Sequence, residues 1–155
     1  VALAAHLAGE AAVPLVLDAD ALRPEVVARV REKPFIGTPH AGEFDRIAPA
    51  LFTDGNFTAS QGVLVLKGPL TRVSDGKTIY HSPFGGPVLA RGGSGDILAG
   101  LIGGLLAQSP AHPGLAACQG VVWHGRAADL LARSHGQVAI ETSEILEQLG
   151  PALIS

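Results

Sequence analysis

Residues 89–108 read LARGGSGDILAGLIGGLLAQ, a cluster of glycines followed by an apolar run. The glycine cluster at 92–95 lets the backbone turn sharply and lets a ligand approach the main chain closely. The apolar run predicts a helix over about 96–107. The first N–H groups of such a helix have no partner within it, and they lie at the positive end of the helix dipole. This stretch therefore predicts a binding site for phosphate or another anion.

Asp96 stands at the start of the predicted helix. A carboxylate beside a phosphate does not favour binding, so Asp96 is a candidate general base or metal contact. The alternative is an ordinary glycine-rich turn in which Asp96 caps the helix. The stretch is neither a Walker A loop nor a G-x-G-x-x-G dinucleotide fingerprint, because the required lysine and glycine spacing are absent. The helix is shorter than the roughly 20 residues that span a membrane, so its apolar surface predicts burial in the fold.

The composition predicts a folded domain in a reducing compartment. The chain has 155 residues, of which 47% are hydrophobic and 16% charged, enough for one domain with a core. Its net charge of −3 and lack of a basic cluster argue against nucleic acid as a partner. Cys118 is the single cysteine, so no internal disulfide can form. With no signal peptide or membrane span in the sequence, we expect a cytoplasmic protein that does not bind membranes.

Short apolar runs alternate with helical patterns, which predicts an α/β fold with a largely parallel sheet. The predicted strands lie at 14–17, 35–38 and 63–66. An Asp-Gly pair predicts a β-hairpin over 71–82. The predicted helices lie at 1–10, 24–32, 44–48, 113–134 and 143–149, besides the one at 96–107.

Polar side chains follow each predicted strand, at the sheet edge where ligands bind in open α/β folds. Asp18 and Asp20 follow the first strand, His40 and Glu43 the second, and Lys67 the third. Each has a structural alternative: the aspartates can cap a turn, Glu43 can favour a helix start, Lys67 can be solvated, and a lone histidine is more often structural. The shared edge supports a functional role for His40 beside the structural alternative.

His124 lies on the long predicted helix 113–134. We interpret it as a surface residue or a core hydrogen-bonding residue and not as a ligand.

Four pieces in this order closely resemble the ADP- or ATP-dependent NAD(P)H-hydrate dehydratases, which have a ribokinase-like fold. The pieces are LDADAL at 17–22, TPHAGEF at 38–44, LKGPLT at 66–71 and ARGGSGDILAGLI at 90–102. The resemblance implies a ribokinase-like three-layer α/β sandwich with a mostly parallel sheet, formed by residues 1–155 as a single partial domain. It implies a lyase that repairs hydrated NADH or NADPH by phosphorylating the ring hydroxyl and eliminating phosphate.

The resemblance also assigns site residues. Asp96 is implied to be the catalytic base and, with His40, to contact the hydrated dinucleotide. ADP or ATP is the implied phosphoryl donor, accompanied by Mg²⁺, for which the sequence offers no firm protein ligand. The implied nucleotide-binding residues are Lys67, Gly68, Pro69, Leu70, Thr71, Gly93, Ser94 and Gly95.

Two departures from the family pattern set further expectations. The family domain is nearly twice as long, so we expect this chain to be incomplete at its N-terminal side, with a bare or covered sheet edge near 14–17. The connection between Glu43 and Lys67 is also shorter than usual for the family. We expect a homo-oligomer, as is usual for the family, and fusion to an upstream epimerase domain, as in its bifunctional members. The rival functions are a small-molecule kinase of the same fold and a non-catalytic nucleotide-binding module.

Overall fold

The computed structural model describes residues 1–154, which form a mixed sheet between two layers of helices. The strands are β1 (Leu15–Leu17), β2 (Phe35–Gly37), β3 (Phe52–Thr53), β4 (Asn56–Phe57), β5 (Gly62–Leu66), β6 (Thr71–Ser74) and β7 (Ile79–Ser82). The helices are α1 (Ala2–Glu10), α2 (Pro24–Val30), α3 (Ala41–Leu51), α4 (Ser94–Gln108), α5 (Pro113–His135) and α6 (Glu144–Gln148), with short 3₁₀ turns at Ala19–Ala21, Gly86–Leu89 and Pro151–Leu153.

The main sheet has the strand order β1-β2-β5-β6-β7. The first three strands are parallel, and β6 and β7 add an antiparallel hairpin to the edge formed by β5. The parallel strands bring their carboxyl ends to one edge of the sheet, where ligands bind in open α/β folds. The predicted strands and the predicted hairpin are confirmed, each with bounds that differ by no more than a few residues.

Alternate residues of the parallel strands supply two separate hydrophobic cores, because successive side chains of a strand point to opposite faces. Leu17, Phe35 and Leu64 pack with α1, α2 and α3 on one face. Ile36 and Val65 pack with α4 and α5 on the other face. The sheet is therefore the middle layer of an α/β/α sandwich, as the sequence predicts.

The segment between Glu43 and Lys67 holds more regular structure than expected. Helix α3 extends from Ala41 to Leu51, beyond the predicted 44–48, and a small β3–β4 hairpin follows it. The hairpin turn is Asp54-Gly55, with φ of 50° and 78°. Positive φ at both turn residues is the geometry that a two-residue hairpin prefers. The short connection is therefore ordered and compact.

Helix α4 is only partly buried, which corrects the expectation drawn from its apolar sequence. Leu98, Ile102 and Leu106 form its buried face, but Gly100 and Gly104 are exposed. The exposed side borders an apolar groove of about 400 Å³, which we call the α4 groove. Its lining residues are Ile97, Gly100, Leu101, Gly104, Leu105, Gln108, Trp123, Leu146 and Leu149.

Strand β1 pairs only with β2, so it is an edge strand within residues 1–154, as expected for the stretch near 14–17. None of the helices in this range is long and apolar enough to cross a membrane.

Candidate active site at the carboxyl edge of the sheet

A partly buried ion pair joins the ends of β1 and β5. Lys67 Nζ donates to Asp18 Oδ1 at 2.7 Å, and Thr38 Oγ1 donates to the same oxygen at 2.7 Å. The Asp18 and Lys67 side chains are only 15% and 23% exposed, so the pair is well shielded from solvent. Glu43 Oε2 lies 4.0 Å from Lys67 Nζ. Two carboxylates therefore fix the ammonium group at this edge.

His40 is the N-cap of α3 and forms a capping box with Glu43. Its Nδ1 accepts from the amides of Gly42 and Glu43 at 3.1 and 3.3 Å, while the His40 amide donates to Glu43 Oε2 at 2.9 Å. A ring nitrogen that accepts hydrogen bonds carries no proton, so the proton of the neutral ring lies on Nε2. The His40 side chain is 59% exposed, so Nε2 is accessible as a hydrogen-bond donor, with Glu43 Oε1 at 3.5 Å.

The glycine cluster turns the chain into α4. Gly93 is the N-cap with φ of 85°, a left-handed conformation that suits glycine, and the helix begins at Ser94, two residues before the predicted start. Within the described chain, the amides of Gly95 and Asp96 have no backbone partner, whereas those of Ser94 and Ile97 do. Two N–H groups at the positive end of α4 are thus available to an anion.

Gly95 lies directly against the ion pair. A Cβ placed on Gly95 would lie 3.2 Å from Lys67 Nζ and 3.7 Å from Asp18 Oδ2. The positive φ of the glycine cluster is at Gly93 and not at Gly95, so close approach is the reason for glycine at 95. The N-terminus of α4 and the Lys67–Asp18 ion pair therefore form one continuous polar surface.

A cleft of about 790 Å³ opens over this surface. The predicted site residues that line it are His40, Lys67, Gly68, Pro69, Thr71, Ser94 and Gly95. The others lie outside its lining: Gly93 is exposed at the N-cap, Leu70 is 48% exposed, and Asp96 is exposed in the first turn of α4. The Asp96 carboxylate has no hydrogen-bond or ion-pair partner among residues 1–154. Asp96 directly follows Gly95 in the chain, and its own backbone amide is the second of the two free amides.

Three residues of the cleft and its surroundings escaped the sequence interpretation. Thr38 is fully buried and holds Asp18, a role that its place after a buried strand allows but does not require. Arg91 lines the cleft, and its Nη2 donates to the carbonyls of Gln137 and Val138 at 3.0 and 2.7 Å. His124 also lines the cleft, although the sequence did not favour it as a ligand.

His124 is not a surface residue, since only 3% of it is exposed. Its Nε2 is buried and has no hydrogen-bond partner among the described residues, so the expected core hydrogen bond is not formed there. Burial lowers the pKa of His124 from 6.5 to about 4. The imidazole is therefore neutral at physiological pH.

No group of three or more His, Cys, Asp or Glu side chains in residues 1–154 is placed to hold a metal ion. Mg²⁺ often binds through one or two carboxylates together with the phosphates of a nucleotide. The donor set fits a magnesium ion that enters as part of a magnesium–nucleotide substrate. It does not fit a protein-held metal centre.

The family model described as NAD(P)H-hydrate dehydratase matches residues 2–150 of the chain. The chain belongs to this family. A solved ADP/ATP-dependent NAD(P)H-hydrate dehydratase of Bacillus subtilis, co-crystallised with ATP and Mg²⁺, is 34% identical to this chain with a TM-score of 0.70. The match covers 91% of this chain and 54% of the Bacillus chain. This likeness confirms the predicted ribokinase-like NAD(P)H-hydrate dehydratase architecture.

Two further relatives of the dehydratase family bear on function. A bifunctional NAD(P)H-hydrate repair enzyme of Gloeobacter violaceus is 42% identical, and the match covers 98% of this chain and 32% of the relative. An ADP-dependent (S)-NAD(P)H-hydrate dehydratase of Listeria monocytogenes is 36% identical, over 72% of this chain and 41% of the relative. The chain thus spans about a third of the bifunctional relative and about half of the solved Bacillus dehydratase.

Proposed function

We propose that this chain carries the nucleotide and catalytic half of an ADP- or ATP-dependent NAD(P)H-hydrate dehydratase, a hydro-lyase that repairs hydrated NADH or NADPH. The observation that carries the proposal is the meeting of Lys67, His40 and the free amides of α4 at one cleft, with Asp96 next to them. The free amides at the start of α4 suit the phosphates of a nucleotide. Membership of the dehydratase family supports the assignment of the second substrate.

In the proposed reaction, Asp96 accepts the proton of the ring hydroxyl of the hydrated nicotinamide. The hydroxyl oxygen attacks the terminal phosphorus of the nucleotide, and the bond from that phosphorus to the leaving nucleotide breaks. The neighbouring ring carbon then gives a proton to water, the electron pair of that C–H bond forms the ring double bond, and the C–O bond breaks as phosphate leaves with its electrons. The net reaction converts hydrated NAD(P)H and ATP into NAD(P)H, ADP and phosphate.

The residues of the cleft act mainly by positioning and by stabilising charge, on which phosphoryl transfer depends. The amides of Gly95 and Asp96 face the transferred phosphoryl group, so the Asp96 amide extends the anion hole that we assign to residues 93–95. Lys67, held by Asp18, neutralises phosphate charge, and residues 67–71 line the nucleotide. His40 donates through Nε2 to the dinucleotide. A magnesium ion bound to the nucleotide would supply further neutralisation of phosphate charge.

The test uses residues 1–155 within a dehydratase domain of full family length, mixes that protein with hydrated NADH and magnesium-ADP or magnesium-ATP, and follows the NADH absorbance band together with free phosphate. We expect recovery of absorbance in step with phosphate release. A stable phosphorylated product without absorbance recovery would instead identify a small-molecule kinase. Nucleotide binding without turnover would identify a non-catalytic binding module. The cytoplasmic location, the homo-oligomer and the upstream epimerase domain stay predictions.

A further inference from the structure

Arg91 is the cation of the cleft whose charge is not balanced by a carboxylate of the described chain. Two residues that line the cleft, Lys67 and Arg91, ordinarily carry a positive charge at neutral pH, and the lining contains no aspartate or glutamate. Lys67 Nζ pairs with Asp18 at 2.7 Å and lies 4.0 Å from Glu43. Arg91 forms no ion pair within residues 1–154. The positive charge that the cleft offers to an anionic ligand is therefore mainly that of Arg91.

The Arg91 side chain is held in place by neutral groups. Its Nη2 donates to the carbonyls of Gln137 and Val138, in the segment after α5, at 3.0 and 2.7 Å. These carbonyl oxygens orient the guanidinium group without cancelling its charge. Because the side chain is already oriented, it loses less conformational freedom when a ligand binds. The Arg91 guanidinium is therefore preorganised.

The remaining donors of Arg91 have no partner in the protein. Nε is buried and forms no hydrogen bond within the described part of the chain. An unpaired buried donor destabilises the fold, so such an atom calls for an explanation. Nη1 has no hydrogen-bond partner there either, but it is not shielded from solvent. A purely structural contact with the segment after α5 accounts for Nη2 and leaves Nη1 free to meet a ligand in the cleft.

Arg91 stands at the entrance to the free amides of α4. The Ser94 amide donates to the Arg91 carbonyl at 3.3 Å, which closes the turn that leads into the helix. Arg91, Ser94 and Gly95 line the same cleft. Thr142 Oγ1 donates to the Gly92 carbonyl at 2.9 Å, so the segment after α5 holds both the glycine cluster and the Arg91 side chain. The guanidinium group and the free amides therefore face one cleft from adjoining turns of the chain.

A planar guanidinium with free donors suits a phosphate group, because phosphate oxygens accept charge-assisted hydrogen bonds from it. Two substrates of the proposed reaction carry phosphate, the phosphoryl donor and the hydrated dinucleotide. The turn that begins at Arg91 leads directly into the amides that face the transferred phosphoryl group, and this group belongs to the donor. The phosphates of the donor are therefore the ones favoured for contact with Arg91.

We propose that Arg91 binds a phosphate group of the phosphoryl donor through Nη1, beside the free amides at the start of α4. This proposal rests on the proposed function for the identity of the donor. Arg91 lies outside the residues that the family resemblance assigns to the nucleotide. Its role is to bind the donor, and it transfers no proton in the reaction.

The test uses residues 1–155 within a dehydratase domain of full family length and measures binding of magnesium-ADP and of NADH by calorimetry. Arg91→Gln removes the charge and keeps a polar side chain. We expect its ADP affinity to fall at least tenfold, because a hydrogen bond between two charged groups is stronger than one between neutral groups. Its NADH affinity should stay unchanged. Arg91→Lys should recover part of the ADP affinity, since it keeps the charge but not the planar fork.

The salt dependence separates this role from a structural one. Salt screens the attraction between charges, so the difference in ADP affinity between wild type and Arg91→Gln should shrink as NaCl is raised from about 0.05 to about 0.5 M. The matched control is Arg29→Gln, which changes an exposed arginine on α2 outside the cleft. It should leave both affinities unchanged at every salt concentration. Thermal unfolding verifies that each variant is folded, and Arg91→Lys carries the test if Arg91→Gln does not fold.

Several outcomes would overturn the proposal. Equal loss of ADP and NADH affinity in a folded Arg91 variant, or an ADP loss that does not depend on salt, would assign Arg91 to the shape of the cleft. Unchanged affinity for both would leave Arg91 as a contact of the segment after α5. Weaker NADH binding with unchanged ADP binding would assign Arg91 to the diphosphate of the dinucleotide.

The same measurements distinguish failure of this proposal from failure of the proposed function. A wild-type protein that binds neither ADP nor NADH would overturn both. ADP binding that depends on Arg91, without dehydration of hydrated NADH, would overturn only the proposed function.

Discussion

Asp96 is the single residue on which the proposed proton transfer depends. Replacement by asparagine keeps the size of the side chain but removes the basic oxygen. We expect turnover in the dehydration assay to fall by about 10² to 10⁴, the usual contribution of a general base. Nucleotide affinity should be retained, because the free amides of Gly95 and Asp96 belong to the backbone.

The matched control is Asp20→Asn, whose carboxylate is fully exposed and pairs with Arg23 at 3.5 Å. It should leave turnover unchanged. The comparison requires measurable wild-type turnover, and near-normal turnover of Asp96→Asn in the same preparation would remove Asp96 from the mechanism.

The buried side chain of His124 should make the free energy of unfolding depend on pH. Burial lowers its pKa to about 4 in the folded chain from the ordinary value of 6.5, so between these pH values the unfolded chain binds a proton that the folded chain does not. The free energy of unfolding must then fall as the pH falls through this window. Between pH 7 and pH 5 the loss from this group is about 2 kcal/mol.

Urea unfolding of wild type and of His124→Gln at pH 7 and pH 5 measures this loss of unfolding free energy. Wild type should lose about 2 kcal/mol more than the variant on acidification, because the variant has no imidazole to protonate. Other titrating groups are present in both proteins and cancel in the difference. Parallel stability curves for the two proteins would mean that His124 is not buried in the neutral form.

At the scale of elements, the N-terminus of α4 joins the glycine cluster to the ion pair. A valine at 95 would place its Cβ 3.2 Å from Lys67 Nζ, with further methyl groups over the free amides. We expect Gly95→Val to reduce magnesium-ADP affinity at least tenfold in calorimetry, while the circular dichroism spectrum keeps its shape. Unchanged affinity would place the phosphates elsewhere.

Gly100→Ala is the control within the same helix. Its Cβ would meet nothing within 4 Å, so it adds no contact to the cleft. Alanine is favoured over glycine inside a helix by about 0.5–1 kcal/mol, so this variant should be slightly more stable and bind ADP normally.

The sequence predicts elements well where the signal is local. The buried runs at β1, β2 and β5 and the Asp-Gly turn of the hairpin depend on neighbouring residues, and the structure confirms them. The start of α4 was predicted two residues late, because the sequence does not show that Gly93 adopts positive φ and serves as the N-cap.

The site is less predictable because its contacts join distant parts of the chain. Asp18 and Lys67 are 49 positions apart, and their ion pair depends on the register of three parallel strands. The sequence leaves open whether His124 lies on the surface or in the core for the same reason. The hydrophobic periodicity of α5 does not show which neighbouring segment covers His124. The packing of the segment after β7 on α5 places His124 in the cleft.

At the scale of the whole molecule, two features leave apolar or unpaired groups in solvent. The edge strand β1 has an open side, and the α4 groove exposes apolar side chains around Gly100 and Gly104. Open strand edges and contiguous apolar patches favour association between molecules. The fold therefore predicts concentration-dependent self-association of residues 1–155 through these surfaces.

Leu146→Glu tests the part played by the α4 groove, because Leu146 lines the groove and is 53% exposed. A carboxylate there has to be desolvated in any apolar contact, so we expect light scattering after gel filtration to give a lower mean mass than for wild type at high concentration. The free energy of unfolding should change by no more than about 0.5 kcal/mol, as for other exposed positions. Val138→Glu, at a residue that is 83% exposed and outside the groove, should leave the association as it is in wild type. If wild type and Leu146→Glu have the same mass at every concentration, the groove does not drive association, and the open edge of β1 is the surface to alter next.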